Sequence, residues 1–208
     1  MTDTELLLDR LSAEGPEPSA SPFWRFAAPL LGVFALCTLG IAATLDGAFD
    51  PVERYGVMPL TAKWGFAFAL VFLSASALWV LGRPARPSAS VTIGMAIPFI
   101  FVAAFLALEF LQTGPVVRGA TWRTCLLAMA VMSPIGFAGA IFAARWLAPT
   151  NLRRTGLSAG LFGGGVAMIA YSPYCPELGM GYMTVFYCLP ILAMAALGWL
   201  LGPRLLRW

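Results

Sequence analysis

The sequence predicts an all-α, polytopic membrane protein with six transmembrane helices, short loops and both termini in the cytoplasm. Three observations lead to this prediction: the hydrophobic content, the number of long apolar stretches and the distribution of arginine. Of the 208 residues, 60% are hydrophobic and 11% are charged, and the mean hydropathy is +0.82. A soluble domain cannot bury so much apolar surface, so the chain is predicted to lie in a lipid bilayer.

Six apolar stretches have lengths close to the roughly 20 helical residues that cross a hydrocarbon core. The predicted spans are residues 26–45, 61–81, 91–111, 122–147, 156–171 and 183–201. An even number of spans leaves both termini on one side of the membrane. Nine arginines lie on the segments that would share this side, against four basic residues on the other segments. Because basic residues are retained inside the cell, this asymmetry predicts cytoplasmic termini.

Composition also limits the chemistry that the chain can perform. It contains no histidine, and its four cysteines include no CxxC pair. This argues against a zinc ribbon or a thioredoxin-type motif, and we predict no resident metal and no other cofactor. No nucleotide-binding loop, catalytic triad or basic cluster for nucleic acid is visible. We therefore predict a protein that is not an enzyme and does not bind nucleic acid directly.

Residues 1–25 are predicted to form a polar cytoplasmic tail ahead of the transmembrane domain, residues 26–208. Thr2 and Glu5 have the spacing of a capping box, which predicts a helix of about three turns over residues 3–13. Leucines follow at helical intervals and give this helix an apolar face: Leu7, Leu8 and Leu11. A proline-rich tether comes next. Such a helix is marginal alone but can fold on a partner.

The fifth span contains glycines at every fourth position, Gly156, Gly160 and Gly164. This spacing puts small residues on one helical face, where a neighbouring helix can approach closely. We interpret the glycines as a packing surface and not as a substrate site.

The predicted topology brings several thiols toward the outer face. Cys125 begins the fourth span, Cys175 lies in the loop after the fifth, and Cys188 lies a turn or more into the sixth. An oxidising envelope permits a disulfide between thiols at similar depth. Cys125 with Cys175 is the preferred pair, and Cys125 with Cys188 is the alternative, which would leave Cys175 as a reactive thiol. Cys37 lies in the middle of a span and is predicted to be inert.

Glu109 lies near the outer end of the third span, inside an apolar stretch. An ionisable group there is costly unless it is paired. Arg118 or Arg123 is close enough in sequence to be its partner. We predict a structural ion pair, with Arg123 as the partner of choice.

The chain resembles the NrsF family, negative regulators of sigma-F-type extracytoplasmic-function sigma factors, over nearly its full length. The matching motifs are Leu7-Leu8-x-x-Leu11, Trp122-Arg123-x-Cys125, Ala148-Pro149-Thr150, Tyr171, Cys175-Pro176-Glu177, Phe186-Tyr187 and the ending Gly202-Pro203-Arg204-Leu205-Leu206-Arg207-Trp208. Two residues depart from the family pattern. Tyr174 stands where histidine is frequent, which argues against metal ligation through this loop, and Phe186 stands where tryptophan is expected.

The resemblance implies a membrane-bound anti-sigma factor with six spans in the bacterial inner membrane. Its cytoplasmic tail would sequester an extracytoplasmic-function sigma factor through Glu5, Leu7, Leu8 and Leu11. The matching cysteines, Cys125 and Cys175, would sense oxidative or heavy-metal stress in the envelope and lead to release of the sigma factor.

Two other functions compete with this interpretation. A membrane thiol oxidoreductase could pass electrons from Cys175 to a quinone, but the missing CxxC motif argues against it. A small-solute transporter is the third hypothesis, and the scarcity of charges inside the spans argues against that one.

Overall fold

A computed structural model of the chain describes residues 4–6, 22–83, 93–114, 119–177 and 179–207. Within these ranges the secondary structure is helical and contains no strand, which confirms the all-α class. Residues 4–6 are helical, whereas the predicted tail residues Leu7, Leu8 and Leu11 lie outside the described residues, as does Arg118.

Eight α-helices make up most of the described part of the chain. They are α1 (Pro22–Thr44), α2 (Asp50–Tyr55), α3 (Met58–Leu81), α4 (Ile97–Thr113), α5 (Trp122–Arg145), α6 (Leu152–Tyr171), α7 (Met180–Met183) and α8 (Leu189–Leu205). A 3₁₀ turn, Ser172–Tyr174, follows α6. A π-helical segment, Thr184–Cys188, joins α7 to α8, so that Met180–Leu205 is one continuous helix.

Four helices in the described part are long and apolar enough to cross a membrane, where the sequence predicted six. They are Phe23–Thr44, Met58–Leu81, Trp122–Arg145 and Met180–Leu205. The third predicted span corresponds to α4, which begins only at Ile97 and has 17 residues. The fifth corresponds to α6, in which glycines and two arginines lower the mean hydropathy. Both helices are therefore weaker candidates for membrane spans than their apolar stretches alone indicated.

The long helices run alternately in opposite directions between two ends of the bundle. We call the end that contains Lys63, Cys125 and Cys175 the thiol end; there, Phe49 N after α1 donates to Pro173 O after α6, at 3.1 Å. We call the opposite end the arginine end. There, Ala148 N donates to Gly82 O at 3.2 Å, Arg145 Nε donates to Leu205 O at 2.9 Å, and the Phe23 ring lies 5.8 Å from the Trp79 ring. Residues 22 and 207 thus lie at the same end.

Helix α6 is the centre of the bundle and is buried along most of its length. The predicted glycine face is confirmed: a Cβ atom added at Gly160 would lie only 2.6 Å from Ala195 Cα of α8, and Gly156 and Gly164 also face α8. Gly163 meets Gly136 of α5 in the same way. Without side chains between them, the helices approach closely enough for backbone packing to stabilise the bundle.

Candidate functional site: a buried thiol cluster

Cys125 lies in the first turn of α5 and is completely buried. Its Sγ donates to Phe186 O at 3.5 Å, and Phe186 belongs to the π-helical segment. A π-helical turn inside an α-helix often marks a functional site, because its altered register frees backbone groups for other contacts. This segment gives the Cys125 thiol an acceptor on the neighbouring helix.

Cys175 follows the 3₁₀ turn and has an extended backbone. Pro173 and Pro176 explain this conformation, since proline removes a backbone donor and prevents α6 from continuing. The side chain is only 2% exposed. Its backbone N donates to Ser172 O at 3.3 Å, and its backbone O accepts a hydrogen bond from Lys63 Nζ at 3.0 Å. The loop is therefore fixed and buried, although the sequence placed it at a membrane face.

The structure brings the two predicted sensor cysteines together. Cys125 and Cys175 are close enough to interact electrostatically, and both are free thiols. The Tyr187 hydroxyl lies near both sulfur atoms, is completely buried, and makes no well-formed hydrogen bond within the described part of the chain. Tyr171 and Tyr182 complete the surrounding aromatic cluster, with ring centroids 6.2 and 6.4 Å from that of Tyr187.

The other two cysteines lie elsewhere. Cys188 is the last residue of the π-helical segment and is buried. Cys37 lies in α1, and its Sγ is 3.8 Å from Met132 O in the middle of α5. The pairing of Cys125 with Cys175 stays a prediction.

Glu177 connects the loop of Cys175 to the helix of Cys125. Its Oε1 accepts hydrogen bonds from Ala120 N at 2.8 Å, Thr121 N at 3.4 Å and Thr121 Oγ1 at 3.3 Å. These groups immediately precede α5, where unpaired amides and the helix dipole favour a carboxylate. The carboxylate therefore holds the two thiol-bearing segments side by side. Sequence analysis gave Glu177 no role beyond its place in the family motif.

Lys63 is a site residue that sequence analysis missed. It lies in the second turn of α3, is 5% exposed, and is the only lysine in the chain. Sequence analysis counted it only as one of the four basic residues on the segments opposite the termini. Its uniqueness was a usable signal, since twelve arginines supply every other basic side chain.

A short covering segment closes the cluster from outside. Phe49 precedes α2 with a left-handed backbone (φ 69°), and its ring packs edge-on against Trp64 at 6.2 Å. A small cavity of about 10 Å³ remains beneath it, lined in part by Pro51, Lys63 and Cys175. This volume suits one water-sized molecule.

Glu109 and Arg123 make other contacts in the described structure. Glu109 Oε2 accepts from Gly181 N at 3.1 Å, so this carboxylate joins the end of α4 to α7. The Arg123 guanidinium lies 5.2 Å from the Trp122 ring centre. The ion pair between Glu109 and Arg123 stays a prediction.

Among the described residues, no group of three or more His, Cys, Asp or Glu side chains is arranged to hold a metal ion. The chemistry available to the cluster is that of two adjacent thiols, a buried ammonium group and tyrosine hydroxyls.

The fold and this site define a small, all-helical protein of membrane type with paired thiols at one end of its helix bundle. The chain belongs to the NrsF family, whose description is negative regulator of sigma F and whose model matches residues 11–208. This confirms the resemblance seen in the sequence.

Two relatives match almost the whole chain. The chain is 33% identical to the probable anti-sigma-F factor NrsF of Azospira oryzae and 30% identical to the anti-sigma-F factor NrsF of Caulobacter vibrioides, in each case over 99% of both chains. No solved structure matches the chain significantly. Family membership makes this protein a negative regulator of a sigma factor, which is a regulatory class.

Proposed function

We propose that this protein is an anti-sigma factor of the bacterial inner membrane with six membrane spans. Its cytoplasmic tail holds an extracytoplasmic-function sigma factor, and reaction of Cys125 and Cys175 in the envelope releases it. The observation that carries the proposal is that these thiols lie within electrostatic range of each other, at the end of the bundle opposite to residues 22 and 207.

Charge supports this orientation. Of the described basic residues, the arginine end carries Arg25, Arg83, Arg145, Arg153, Arg154, Arg204 and Arg207, and the thiol end carries Arg54, Lys63 and Arg123. Because basic residues mark the cytoplasmic side, the arginine end faces the cytoplasm in our proposal.

Burial explains how α6 can be a span despite its low hydropathy. Its 20 residues extend about 30 Å, enough to cross the hydrocarbon core. Its neighbours α3, α5 and α8 shield it from lipid, so glycine in place of leucine carries little penalty there. Helix α4, at 17 residues and about 25 Å, is the shortest of the six and would need local thinning of the bilayer.

The tail provides the contact with the sigma factor. Both relatives are named anti-sigma-F factors, and they cover the tail region of this chain. Glu5 is exposed on the short helical segment 4–6. In our proposal, Leu7, Leu8 and Leu11, which lie outside the described residues, make the apolar contact with the sigma factor. Leucine burial would supply most of the affinity, and the acidic charge would guide the tail to a basic sigma surface.

Helix α6 can transmit a change at the thiols to the tail, because it extends between the thiol end and the arginine end. A switch from 99% bound to 99% released needs about 5.5 kcal/mol of bias. One disulfide contributes about 2–4 kcal/mol. We therefore expect strong induction with incomplete repression, unless a second event such as proteolysis follows.

The experiment compares variants of the full-length chain purified from detergent-solubilised membranes of its own cells, with bound sigma factor quantified by mass spectrometry. The double variant Leu7→Asp with Leu11→Asp should lose the sigma factor while inserting normally, and Ser12→Asp serves as the matched control. Undiminished sigma factor on the double variant would contradict the role of the tail.

The second arm of this experiment treats the cells with an oxidant. The Cys125→Ser, Cys175→Ser variant should bind the sigma factor normally and fail to release it, whereas Cys37→Ser should respond as the parent does. A double variant that releases as much sigma factor as the parent would exclude the sensor role.

The structure gives the quinone-linked alternative little support. An apolar groove of about 720 Å³ lies between α3 and α4, with Met58, Phe66, Phe101 and Met180 among its lining residues. Neither Cys125 nor Cys175 lines it, so a quinone in this groove would not reach the thiols.

A further inference from the structure

The ammonium group of Lys63 is buried against the thiol cluster. Lys63 Nζ donates to Cys175 O at 3.0 Å, and its charge interacts electrostatically with Cys125. The cavity of about 10 Å³ beside it touches both Lys63 and Cys175. The lysine therefore lies directly beside Cys175 and within electrostatic range of Cys125.

Anchoring the Cys175 carbonyl group does not by itself require a lysine. A neutral donor would satisfy Cys175 O, while a buried ammonium is costly unless an anion can form near it. Glu177 accepts its described hydrogen bonds from the residues before α5. The anion that could form beside Lys63 is the thiolate of Cys175.

Lys63 is the one cation among the titratable groups that face the cluster within the described structure. The titratable groups that face the cluster come from α3, α5, α6, the 171–177 loop and the helix Met180–Leu205; they are Lys63, Cys125, Tyr171, Glu177, Tyr182 and Tyr187. All except Lys63 are neutral or become negative on ionisation.

The two thiols differ in their readiness to react. Cys175 borders the cavity, whereas Cys125 is fully buried and its thiol donates a hydrogen bond to Phe186 O. A thiol that donates its proton in this way is held in its protonated form. Cys175 is therefore the thiol placed to react first.

We propose that Lys63 is the positioning residue of the thiol switch: its ammonium stabilises the thiolate of Cys175, which attacks the oxidant, and Cys125 then closes the disulfide. This inference rests on the proposed function. It adds a specific role for a residue outside the motifs that carry the family resemblance.

With a hydroperoxide as the oxidant, the proposed oxidation of the two thiols proceeds in two steps. The Cys175 thiolate attacks the terminal peroxide oxygen, the O–O bond breaks, and the alkoxide leaves and takes up the proton that Cys175 lost. The resulting sulfenic acid is attacked by Cys125, an S–S bond forms, and water leaves with the Cys125 proton. Two thiols lose two electrons in total, and the hydroperoxide is reduced to an alcohol and water.

The test measures the rate of alkylation of Cys175 by iodoacetamide against pH, using the full-length chain in nanodiscs with its other cysteines changed to alanine. Thiolate is the reactive form, so the midpoint of this profile reports its stability. Lys63→Met and Lys63→Gln should both move the midpoint up by about one pH unit, which slows alkylation at neutral pH about tenfold. Lys63→Arg should retain most of the parent rate.

Two results would overturn the inference: an unchanged midpoint in Lys63→Met, or a shift in Lys63→Met that Lys63→Gln restores, since the latter would assign the effect to the hydrogen bond and not to the charge. A chain that retains only Cys37 is the control, and its profile should not respond to Lys63→Met. The sigma factor takes no part in this readout, so failure of the proposed function would leave the result on Lys63 unaffected.

Discussion

The two ends of the helix bundle differ in which kind of contact prevails. At the thiol end, charged side chains bond to the backbone of another segment: Lys63 Nζ to Cys175 O, Glu177 Oε1 to Ala120 N, and Glu109 Oε2 to Gly181 N, at 3.0, 2.8 and 3.1 Å. Each bond fixes one loop or helix terminus against a neighbour. Hydrogen bonds to charged groups are among the stronger ones in proteins.

At the arginine end, guanidinium groups lie over tryptophan rings. Arg83 lies 4.1 Å from the Trp79 ring centre, and Arg153 lies 4.6 Å from that of Trp199, which is 39% exposed. Arginine and tryptophan are typical of the interface between membrane and water. Each of these contacts is weak by itself, and several of them together stabilise this end of the bundle.

The difference indicates where the molecule is sensitive to change. At the thiol end three charged side chains bond to the backbone of other segments, whereas the arginine end has one such bond, Arg145 Nε to Leu205 O, and adds arginine–tryptophan contacts. Helix α6 connects the two ends, and the three predictions below test this contrast from the largest expected effect to the smallest.

Gly160→Leu should destabilise both ends of the helix bundle at once. Its side chain would overlap the α8 backbone at Met194 and Ala195, and forcing a large side chain into a packed interface costs about 1–3 kcal/mol or more. We expect loss of the monodisperse peak in size-exclusion chromatography, or a thermal midpoint lowered by several degrees. Gly65→Leu on α3 meets open space and should behave like the parent. Equal behaviour of the two variants would contradict the tight α6–α8 contact.

Glu177→Ala should disturb the thiol end alone. Loss of an ionised acceptor costs about 1.5–3 kcal/mol and leaves the amides before α5 unpaired. We expect faster amide hydrogen exchange at residues 119–125 and slower oxidative crosslinking of Cys125 to Cys175. Glu53→Ala, on the exposed face of α2, is the matched control. An exchange rate equal to that of the control would show that the carboxylate does not hold these segments together.

Arg153→Gln should have the smallest effect. An exposed cation–π contact contributes about 0.5–1 kcal/mol, and the other arginine–tryptophan pairs remain. A double-mutant cycle with Trp199→Leu, measured by thermal unfolding, should give a coupling energy in this range. A coupling energy above that of the contacts at the thiol end would reverse the contrast.

Much of the site was predictable because its parts lie near recognisable sequence signals. The prolines around Cys175 indicated a loop after the fifth span, and the order of the spans put Cys125 at the same end. The contact between Lys63 and Cys175 was not predictable, since 112 residues separate them and no periodicity links them. The π-helical segment was missed for a similar reason, because apolar periodicity does not distinguish a π turn from an α turn.

The number of spans shows a different limit. Hydropathy ranks helices by what they would expose to lipid, and α6 exposes little because three helices surround it. The sequence alone determined the all-helical class, the glycine face of α6 and the end of the bundle at which the thiols lie, since each follows from local residue order. Only the tertiary structure decided that α6 is central and that Lys63 and Glu177 hold the thiol segments. Those contacts depend on close approach between helices that are distant in the chain.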